Sequence, residues 1–595
     1  MEFLANNLAP IMFFGLVVFL LSGFPITFSL AANGLLFAVA GIALGVLDPN
    51  LMRALPSRIY GILTNDTLLA IPFFTFMGLI LERSKMAEDL LKVIGQLFGP
   101  IRGGLAYAVI LVGMLLAATT GVVAASVIAM GLISLPLMLQ YGYNKRVATG
   151  VIASSGTLAQ IIPPSLVLII LASQLNKPVG AMYEAAILPG LLLAGMYMVY
   201  ILIVSIVKPS WVPALPKSAR IFNPTKFGSG VQSLLFMMLL TLCVAYGFYV
   251  TVTRDVSEQH FLYGADTIED SLGRAKILAA AFSISVVYAL AKINQLAKFN
   301  LLSDMAERVI FVLIPPLALI FLVLGTVLLG IATPTEGGAL GALGAILLAL
   351  AKGRLNFGLT KQAVDSTLKL TSFVLFILIG STVFNLVFQG VKGDKWVEHL
   401  LLAIPGGEIG FLIVINLLIF FLAFFLEFFE LSFILVPLIA PVAEKLGIDL
   451  VWLGVLLAVN MQTSFMHPPF GFALFYLRSV APKEVKTSDI YMGAIPFVII
   501  QLIMVALIIA VPSIVPTEQS RAKAKAIESG VTAPAPTSGS LNLDLGNGTT
   551  PQKASPSLDL TPNDKATKPA EAQIESKPEP TKNSTTPQLD FIPAK

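Results

Sequence analysis

Long apolar stretches, separated by short polar segments, recur along most of this chain. The clearest lie near residues 9–24, 26–47, 182–206, 228–250, 308–331, 366–390 and 488–511. Most have the roughly 20 apolar residues that a helix needs to cross a bilayer. They carry many Gly and Pro residues, as membrane helices do, and they lack the period-two alternation of barrel strands. The pattern predicts an all-α polytopic membrane protein.

Two of the apolar regions share an unusual spacing of prolines. In each copy a proline pair follows a single proline by 27 residues and a glycine by 21. The members are Pro136, Gly142, Pro163 and Pro164 in the first copy, and Pro441, Gly447, Pro468 and Pro469 in the second. Proline lacks an amide donor and disfavours helix in the preceding residue, so each pair predicts a broken helix. Matched interruptions in two halves of a membrane protein are typical of the binding site of a secondary transporter.

A pair of shorter apolar runs precedes each break. In the first copy, residues 103–118 lead through Thr119-Thr120-Gly121 into a run that ends at Gln140. In the second, residues 411–426 lead through residues 427–430 into a run that contains Pro441. Two half-length helices joined by a short turn predict a re-entrant hairpin. A simple structural kink remains the alternative for either break alone, whereas the equal spacing favours a shared functional site.

A hairpin tip that faces a broken helix collects unpaired backbone groups around one point. Such backbone is tolerated in a membrane only where it is buried in protein or lines a wet cavity. Its carbonyl groups suit a hard cation such as Na⁺, and the positive ends of half-helices suit an anionic substrate.

Composition supports the membrane assignment and narrows the chemistry. The 595 residues are 56% hydrophobic and 12% charged, with a mean hydropathy of +0.87, whereas soluble domains carry about 25% charged residues. The single cysteine, Cys243, excludes an internal disulfide, and we expect it to be a packing residue. The sequence lacks a phosphate-binding loop and the HExxH and GxSxG motifs, so no catalytic residues are predicted. An intramembrane protease with unrecognised residues is a minor alternative.

The formal net charge of +4 is less informative than its distribution. Loops at 208–227 and 292–308 are basic and are expected on the cytoplasmic side, and the acidic loop at 251–273 is expected outside. From about residue 516 the composition is polar and rich in proline, which predicts a disordered tail. Arg521, Lys523 and Lys525 favour a cytoplasmic position for that tail. The predicted regions are a first half (1–207), a basic loop with a helix pair and acidic outside loop (208–306), a second half (307–515) and the tail (516–595).

Several motifs resemble a known family, the large membrane subunit of tripartite ATP-independent periplasmic (TRAP) transporters, or DctM-like permeases. They are GVVAASVIAMGLISLP at 121–136, GTLAQIIPPS at 156–165 and ATPTEGG at 332–338. Two more, HPPFGFALFYLR at 467–478 and DIYMGAIPF at 489–497, resemble the branch for mannitol, chloroaromatic and related acids. The resemblance covers about 1–207 and 307–515.

The resemblance implies an inverted-repeat, elevator-type transporter in the bacterial inner membrane. It would take up a small organic acid by symport, with sodium ions as coupling ions and no cofactor. The implied partners are a small four-helix membrane subunit (DctQ-like), an extracytoplasmic substrate-binding protein (DctP-like) and the lipid bilayer, and no nucleic acid is expected. The alternative is a stand-alone ion-coupled carrier. Genes for the two protein partners next to the gene for this chain would argue against that alternative.

Site residues follow from the same resemblance. One sodium site would use backbone groups of Thr120, Val122, Ala159, Ile162 and Pro164. A second sodium site would use Glu427, His467 and Phe470. The substrate would lie between them, near Thr119, Gly156, Thr157, Gln462, Thr463 and Ser464.

This sequence departs from the family pattern in four places. His467 stands where the family usually has Thr, Glu427 where it commonly has Asp, and Ala159 where it usually has Gly. A neutral imidazole is a poor sodium ligand, although its backbone carbonyl would serve, so His467 is either a proton-sensitive group or a packed polar residue. The helix pair at 228–292 looks inserted between the halves.

Three further charged residues have a structural alternative. Glu430 is intramembrane and therefore a functional candidate, or it faces an interface or a lysine. Glu336 is expected to cap the helix after Pro334. Arg478 either attracts an anionic substrate or extends towards the membrane interface.

Overall fold

The computed structural model describes residues 2–120, 123–219, 230–254, 268–297 and 302–517, with the backbone alone at 21, 117–120, 230–231 and 268–270. These residues form α-helices and short 3₁₀ turns, and none of them lies in a β-strand. The all-α prediction is confirmed.

Eleven α-helices precede residue 208. They are α1 (Glu2–Asn6), α2 (Leu8–Leu21), α3 (Ile26–Ala43), α4 (Leu55–Leu63), α5 (Asp66–Arg83), α6 (Met86–Phe98), α7 (Gly104–Thr120), α8 (Val123–Gln140), α9 (Lys145–Thr157), α10 (Leu166–Gln174) and α11 (Val179–Val207).

The described residues after 208 contain twelve more. They are α12 (Gly230–Thr253), α13 (Ile268–Ala297), α14 (Asp304–Leu328), α15 (Pro334–Ala351), α16 (Phe357–Gly390), α17 (Gly393–Leu402), α18 (Gly407–Leu422), α19 (Phe428–Ile434), α20 (Val436–Lys445), α21 (Leu450–Met461), α22 (Phe472–Val480) and α23 (Thr487–Ala510).

Within the described ranges, nine helices are long and apolar enough to cross a membrane, or up to eleven if each bent pair counts as one span. Helices α2, α3, α11, α12, α14, α16 and α23 match the seven apolar stretches of the sequence. The chain is therefore a polytopic membrane protein. Cys243 is exposed on α12, so it is not a packing residue among the described residues of this chain, contrary to the prediction.

Both predicted breaks are present. Helix α9 ends at Thr157 and continues as a 3₁₀ turn, and α10 begins only at Leu166. Helix α21 ends at Met461 in the same way, and α22 begins at Phe472. Both proline pairs are joined by cis peptide bonds.

Polar caps fix where the two broken helices begin. The side chain of Asn144 accepts a hydrogen bond from the amide of Arg146 (3.0 Å) at the start of α9. Asp449 accepts from the amide of Val451 (2.8 Å) at the start of α21. An accepting side chain at this position satisfies donors that have no partner inside the helix.

The two hairpins enter the bundle from opposite ends. The segments at both ends of the α7–α8 hairpin lie beside the end of α11, because Gly103 donates to the carbonyl of Val212 and Asn144 donates to that of Trp211 (both 2.9 Å). The second hairpin consists of α18, the turn at 423–427, α19 and α20. Lys445 at its end forms an ion pair with Glu398, which lies on the helix before it.

The start of α11 lies at the end of the bundle that carries the second hairpin. One cavity of about 510 Å³ is lined by residues of the α11 start, the α20–α21 turn and the segment after α23, among them Lys177, Glu444, Asp449 and Thr517. Helix α11 has 29 residues and is about 43 Å long. Thr517 and the loop after Lys208 therefore lie at opposite ends of a spanning helix.

This arrangement corrects one prediction of sidedness. A cytoplasmic loop at 208–227 and a cytoplasmic tail from residue 516 are incompatible, because α11 separates their starting points. Lysines and arginines crowd the end that carries the loop, and they include Lys145, Arg146, Lys208, Lys217, Lys483 and Lys486. The positive-inside rule assigns that end to the cytoplasm. The chain then leaves the bundle at Thr517, on the extracytoplasmic side. Residues 518–595, 220–229 and 255–267, on which the tail and loop predictions fall, lie outside the described residues.

Cysteine labelling checks this topology. Since Cys243 is the only cysteine, a Cys243→Ser chain with Ser513→Cys, an exposed position after α23, should react with a membrane-impermeant maleimide in intact spheroplasts. Ser210→Cys in the same background is the control and should react only after permeabilisation. The reverse pattern would contradict the assignment of the two ends.

Candidate functional site at the junction of the two breaks

A hydrogen bond joins the two halves of the chain where their helices break. The side-chain amide of Gln462 donates to the hydroxyl oxygen of Thr157 (3.0 Å), across 305 positions of sequence. Both residues are fully buried. The hydroxyl of Thr157 in turn donates to the carbonyl of Ser154 (2.9 Å). The structure thus brings together two predicted substrate-binding residues from opposite halves.

The same junction contains two residues that the sequence analysis missed. The side-chain amide of Gln501 donates to the hydroxyl of Tyr197 (3.0 Å), and Tyr197 also makes a hydrogen bond with Thr157. Both are completely buried, on α23 and α11. Their polarity within apolar spans could have identified them in the sequence, since buried polar groups in a membrane have hydrogen-bond partners or a function. The network links four helical segments around the first break.

Three buried oxygen atoms in the two broken segments have no hydrogen-bond partner among the described residues. They are Oε1 of Gln160, Oε1 of Gln462 and Oγ of Ser464. Buried polar atoms in proteins are almost always satisfied, by protein or by an ordered small molecule. The neighbouring Thr463 differs, because its hydroxyl donates to the carbonyl of Asn460 (2.7 Å). These oxygens are therefore free to accept from water or a substrate, or to bind a cation.

The first hairpin packs closely against the first break through Gly156. A Cβ atom at this glycine would lie 2.4 Å from Cγ2 of Val127 on α8. Because Gly156 has no side chain, the hairpin arm α8 can pack directly against the end of α9. At the hairpin tip, Thr119 and Thr120 end α7, without described side chains, and Val122 lies outside the described residues.

Replacing Gly156 by alanine should push the hairpin arm away from the break and lower transport, since the added methyl group overlaps Val127. The double variant Gly156→Ala with Val127→Ala removes the overlapping atom and should restore much of the activity. Uptake by vesicles with equal amounts of protein measures both. If Gly156→Ala transports normally, or the second change does not rescue it, close packing is not the role of Gly156.

Backbone carbonyl oxygens with no hydrogen-bond donor among the described residues lie at the first predicted sodium site. Ala159 lies in the 3₁₀ turn after α9, and Ile162 and Pro164 lie in the unwound segment. No backbone amide of the described residues donates to the carbonyl of Ile162 or Pro164. Carbonyl oxygens are suitable ligands for a hard cation, so these residues fit a sodium ion.

At the second break, the ring of His467 packs against the second hairpin. Its ring stacks on Phe424 (4.3 Å between ring centroids) and meets Phe420 edge-on (4.4 Å). The ring lies beside the backbone of Ala423 and makes no hydrogen bond of ordinary geometry. Its backbone carbonyl accepts from the amide of Gly471 (2.6 Å). The ring fixes the hairpin turn against the broken helix.

Glu427 occupies the hairpin tip, at the start of α19. It lies close enough to Tyr476 on α22 to interact with it electrostatically. Phe470, the third residue predicted for this sodium site, lies 6.0 Å from Phe425 between ring centroids. Hairpin tip and second break therefore meet, as predicted. The backbone amide of Glu427 donates to the carboxylate of Glu430, which gives Glu430 a capping role.

The other charged candidates have local structural partners. Glu336 accepts from the amide of Thr333 (2.8 Å) and donates its own amide to the hydroxyl of Thr333 (3.2 Å), which confirms that it caps α15. Arg478 donates to the carbonyl of Val485, in the loop before α23.

Comparisons with known proteins agree with this architecture. The family model described as "Tripartite ATP-independent periplasmic transporter, DctM component" matches residues 13–257 and 270–514. The match is wider than the segments about 1–207 and 307–515, and it includes both helices of the region that looks inserted at 228–292.

Curated relatives share the family across nearly their whole length. The C4-dicarboxylate TRAP transporter large permease DctM of Pseudomonas aeruginosa is 27% identical over 470 residues, which cover 79% of this chain and 90% of the relative. The sialic acid TRAP transporter large permease SiaM of Vibrio cholerae is 24% identical over 500 residues, covering 84% and 95%. Among solved structures, the YdaH transporter of Alcanivorax borkumensis aligns with a TM-score of 0.48 at 13% identity, over 78% of this chain and 89% of that one.

The relatives are permeases and the chain has many spans, so it is a multi-pass transporter component of the bacterial inner membrane and not an enzyme. With most of its length matched by one family, the chain belongs to the DctM component of tripartite ATP-independent periplasmic transporters.

Proposed function

We propose that this permease imports a small organic acid together with sodium ions, as the large subunit of a binding-protein-dependent transporter. The observation that carries the proposal is the buried hydrogen bond between Gln462 and Thr157, which joins the two broken helices and supports one shared site. The relatives named above are for C4-dicarboxylates and sialic acid. Both substrates are carboxylic acids, which supports an acid as cargo. The specificity of the mannitol and chloroaromatic branch is a finer form of this proposal.

Sodium would bind at the two breaks. At the first break, the backbone carbonyl groups of Ala159, Ile162 and Pro164 would bind the ion. At the second break, the carboxylate of Glu427 and the backbone of His467 and Phe470 would bind it. Bound cations would supply positive charge beside an anionic substrate held by Thr157 and Gln462. Substrate and ions would then move together, because each stabilises the binding of the other.

An elevator movement would expose this site to each side in turn. The hairpins enter from opposite ends of the bundle. A rigid unit that contains both hairpins and both breaks could thus be closed by one hairpin on either side. Such alternating access around a fixed site is the usual mode of transporters with inverted repeats.

Two partners are part of the proposal. Membership of the family implies an extracytoplasmic substrate-binding protein and a small membrane subunit. The exposed apolar side chains of α12, such as Leu239 and Leu242, face either lipid or the small subunit.

Reconstitution tests the proposed function. The binding protein is first screened by thermal shift against organic acids, sugars and amino acids, and the stabilising compound is radiolabelled. Proteoliposomes with both membrane subunits should accumulate it only when the binding protein is outside and a sodium gradient points inwards. Uptake without the binding protein would favour a stand-alone carrier. Uptake driven by a pH gradient and indifferent to sodium would overturn the ion assignment.

A further inference from the structure

A polar cavity opens between α4, α10 and α16. Its volume is about 380 Å³, within the range of small-molecule sites. Its polar lining consists mainly of Arg58, Asn65, Ser173, Gln174, Ser381 and Asn385. It lies at the extracytoplasmic end of the bundle, because Ser173 and Gln174 end α10 just before the start of α11.

Arg58 gives this cavity an uncompensated positive charge. Among the described residues that line the cavity, it is the sole charged one. Its guanidinium is exposed and has no hydrogen bond or ion pair with another described residue. Arginine is disfavoured on the extracytoplasmic side of a membrane protein. A guanidinium with five donors and amide groups beside it is well suited to a carboxylate.

The cavity lies one short helix away from the transport site. Helix α10 begins at the first break and ends at the cavity, where Ser173 and Gln174 form part of the wall. Its nine residues span about 13 Å.

The second hairpin lies on another side of the cavity. The side-chain amide of Asn385 donates to the carbonyl of Phe433 on α19 (3.4 Å). Its oxygen Oδ1 is buried and has no partner among the described residues. An unpaired acceptor at this position can receive a hydroxyl or amide donor of a ligand that passes the hairpin.

We propose that this cavity is an outer binding site for the anionic group of the substrate, with Arg58 as the counter-charge, occupied before the substrate passes beneath the second hairpin. The inference rests on the proposed function, since it assigns a role in loading the same transport site. Arg58 attracts the carboxylate that the binding protein releases, and the side-chain NH₂ of Gln174 donates to it.

The role of Arg58 is tested by removing its charge and then restoring it chemically in the same folded protein. Arg58→Cys in the Cys243→Ser chain is reconstituted with both partners, and uptake of the acid that wild-type vesicles accumulate is measured. We expect uptake to fall about tenfold, since charge steering commonly accounts for such a factor. External treatment with a methanethiosulfonate that carries an ammonium group should restore most of the rate. The reagent with a sulfonate group should lower it further.

Arg53→Cys, an exposed arginine on the preceding turn that does not line the cavity, is the matched control and should respond to neither reagent. The proposal is overturned if Arg58→Cys transports at the wild-type rate, or if the two reagents have the same effect. An anionic lipid headgroup has the same chemistry as the substrate. The whole series is therefore repeated in vesicles of phosphatidylcholine alone, and a charge effect that requires phosphatidylglycerol would also overturn it. Failure of wild-type uptake would instead count against the proposed function.

Discussion

Glu427→Gln should abolish sodium-driven uptake while leaving a folded permease. The substitution keeps the size of the side chain and removes the charge at the tip of the second hairpin. If the carboxylate holds a coupling ion, its loss should weaken ion binding and transport by about 100-fold, as expected when a buried charged partner is removed. Uptake in proteoliposomes at several sodium concentrations measures this. The residual activity should require more sodium than the wild type does.

Two control variants distinguish a loss of sodium binding from a structural change in the second hairpin. Glu408→Gln alters an exposed carboxylate at the outer start of α18 and should have no effect. Glu430→Gln weakens the cap that Glu430 provides for the hairpin arm, so it should lower thermal stability and leave the sodium dependence unchanged. Normal transport by Glu427→Gln would exclude that side chain as a sodium ligand.

Gly150→Ala should destabilise the whole protein. Helices α9 and α23 touch at this position, and a Cβ atom on Gly150 would lie 2.1 Å from the carbonyl oxygen of Gly493. No side-chain rotation relieves a clash with a backbone atom, so the helices must separate. Overpacking of this kind costs about 1–3 kcal/mol or more, and close contacts of small residues hold membrane helices together. The midpoint of thermal unfolding in detergent should fall by several degrees.

The matched control is Gly195→Ala on α11, because nothing lies within 4 Å of a Cβ atom there. Alanine favours helix over glycine by about 1 kcal/mol, so this variant should unfold at the same temperature or slightly higher. If both variants behave alike, the contact between α9 and α23 does not limit stability.

The elements of this fold could be predicted from local sequence because their causes are local. The proline pairs force helix breaks wherever they stand, and apolar runs of 16 to 25 residues predict helices such as α11 and α16. The capping role of Glu336 follows from its distance to Thr333. The position of a hairpin tip follows from small or polar residues within an apolar run. Each of these depends on neighbours within one or two helical turns.

The composition of the site depends on distant contacts, which local patterns do not contain. Tyr197 and Gln501 join Thr157 only because α23 packs beside α9 and α11 packs beside α23. The role of His467 depends on Phe420 and Phe424, more than 40 positions earlier.

Sidedness shows the same limit. Charges after the last span favour a cytoplasmic tail, whereas the contacts of Thr517 place its start outside. Local charges do not determine the side of residue 517, because its position depends on its packing beside the start of α11.

Two-sided labelling of the junction tests the central claim most directly. In the Cys243→Ser chain, Ser464→Cys places a thiol where the hydroxyl oxygen is buried and unpaired, with little change in shape. The chain is reconstituted with the small subunit in right-side-out and inside-out vesicles and treated with an impermeant thiol reagent. If the breaks form one site that opens alternately, position 464 should react from both sides, and the transported acid with sodium should slow both reactions. Labelling from one side alone, or labelling that substrate and sodium leave unchanged, would contradict the account.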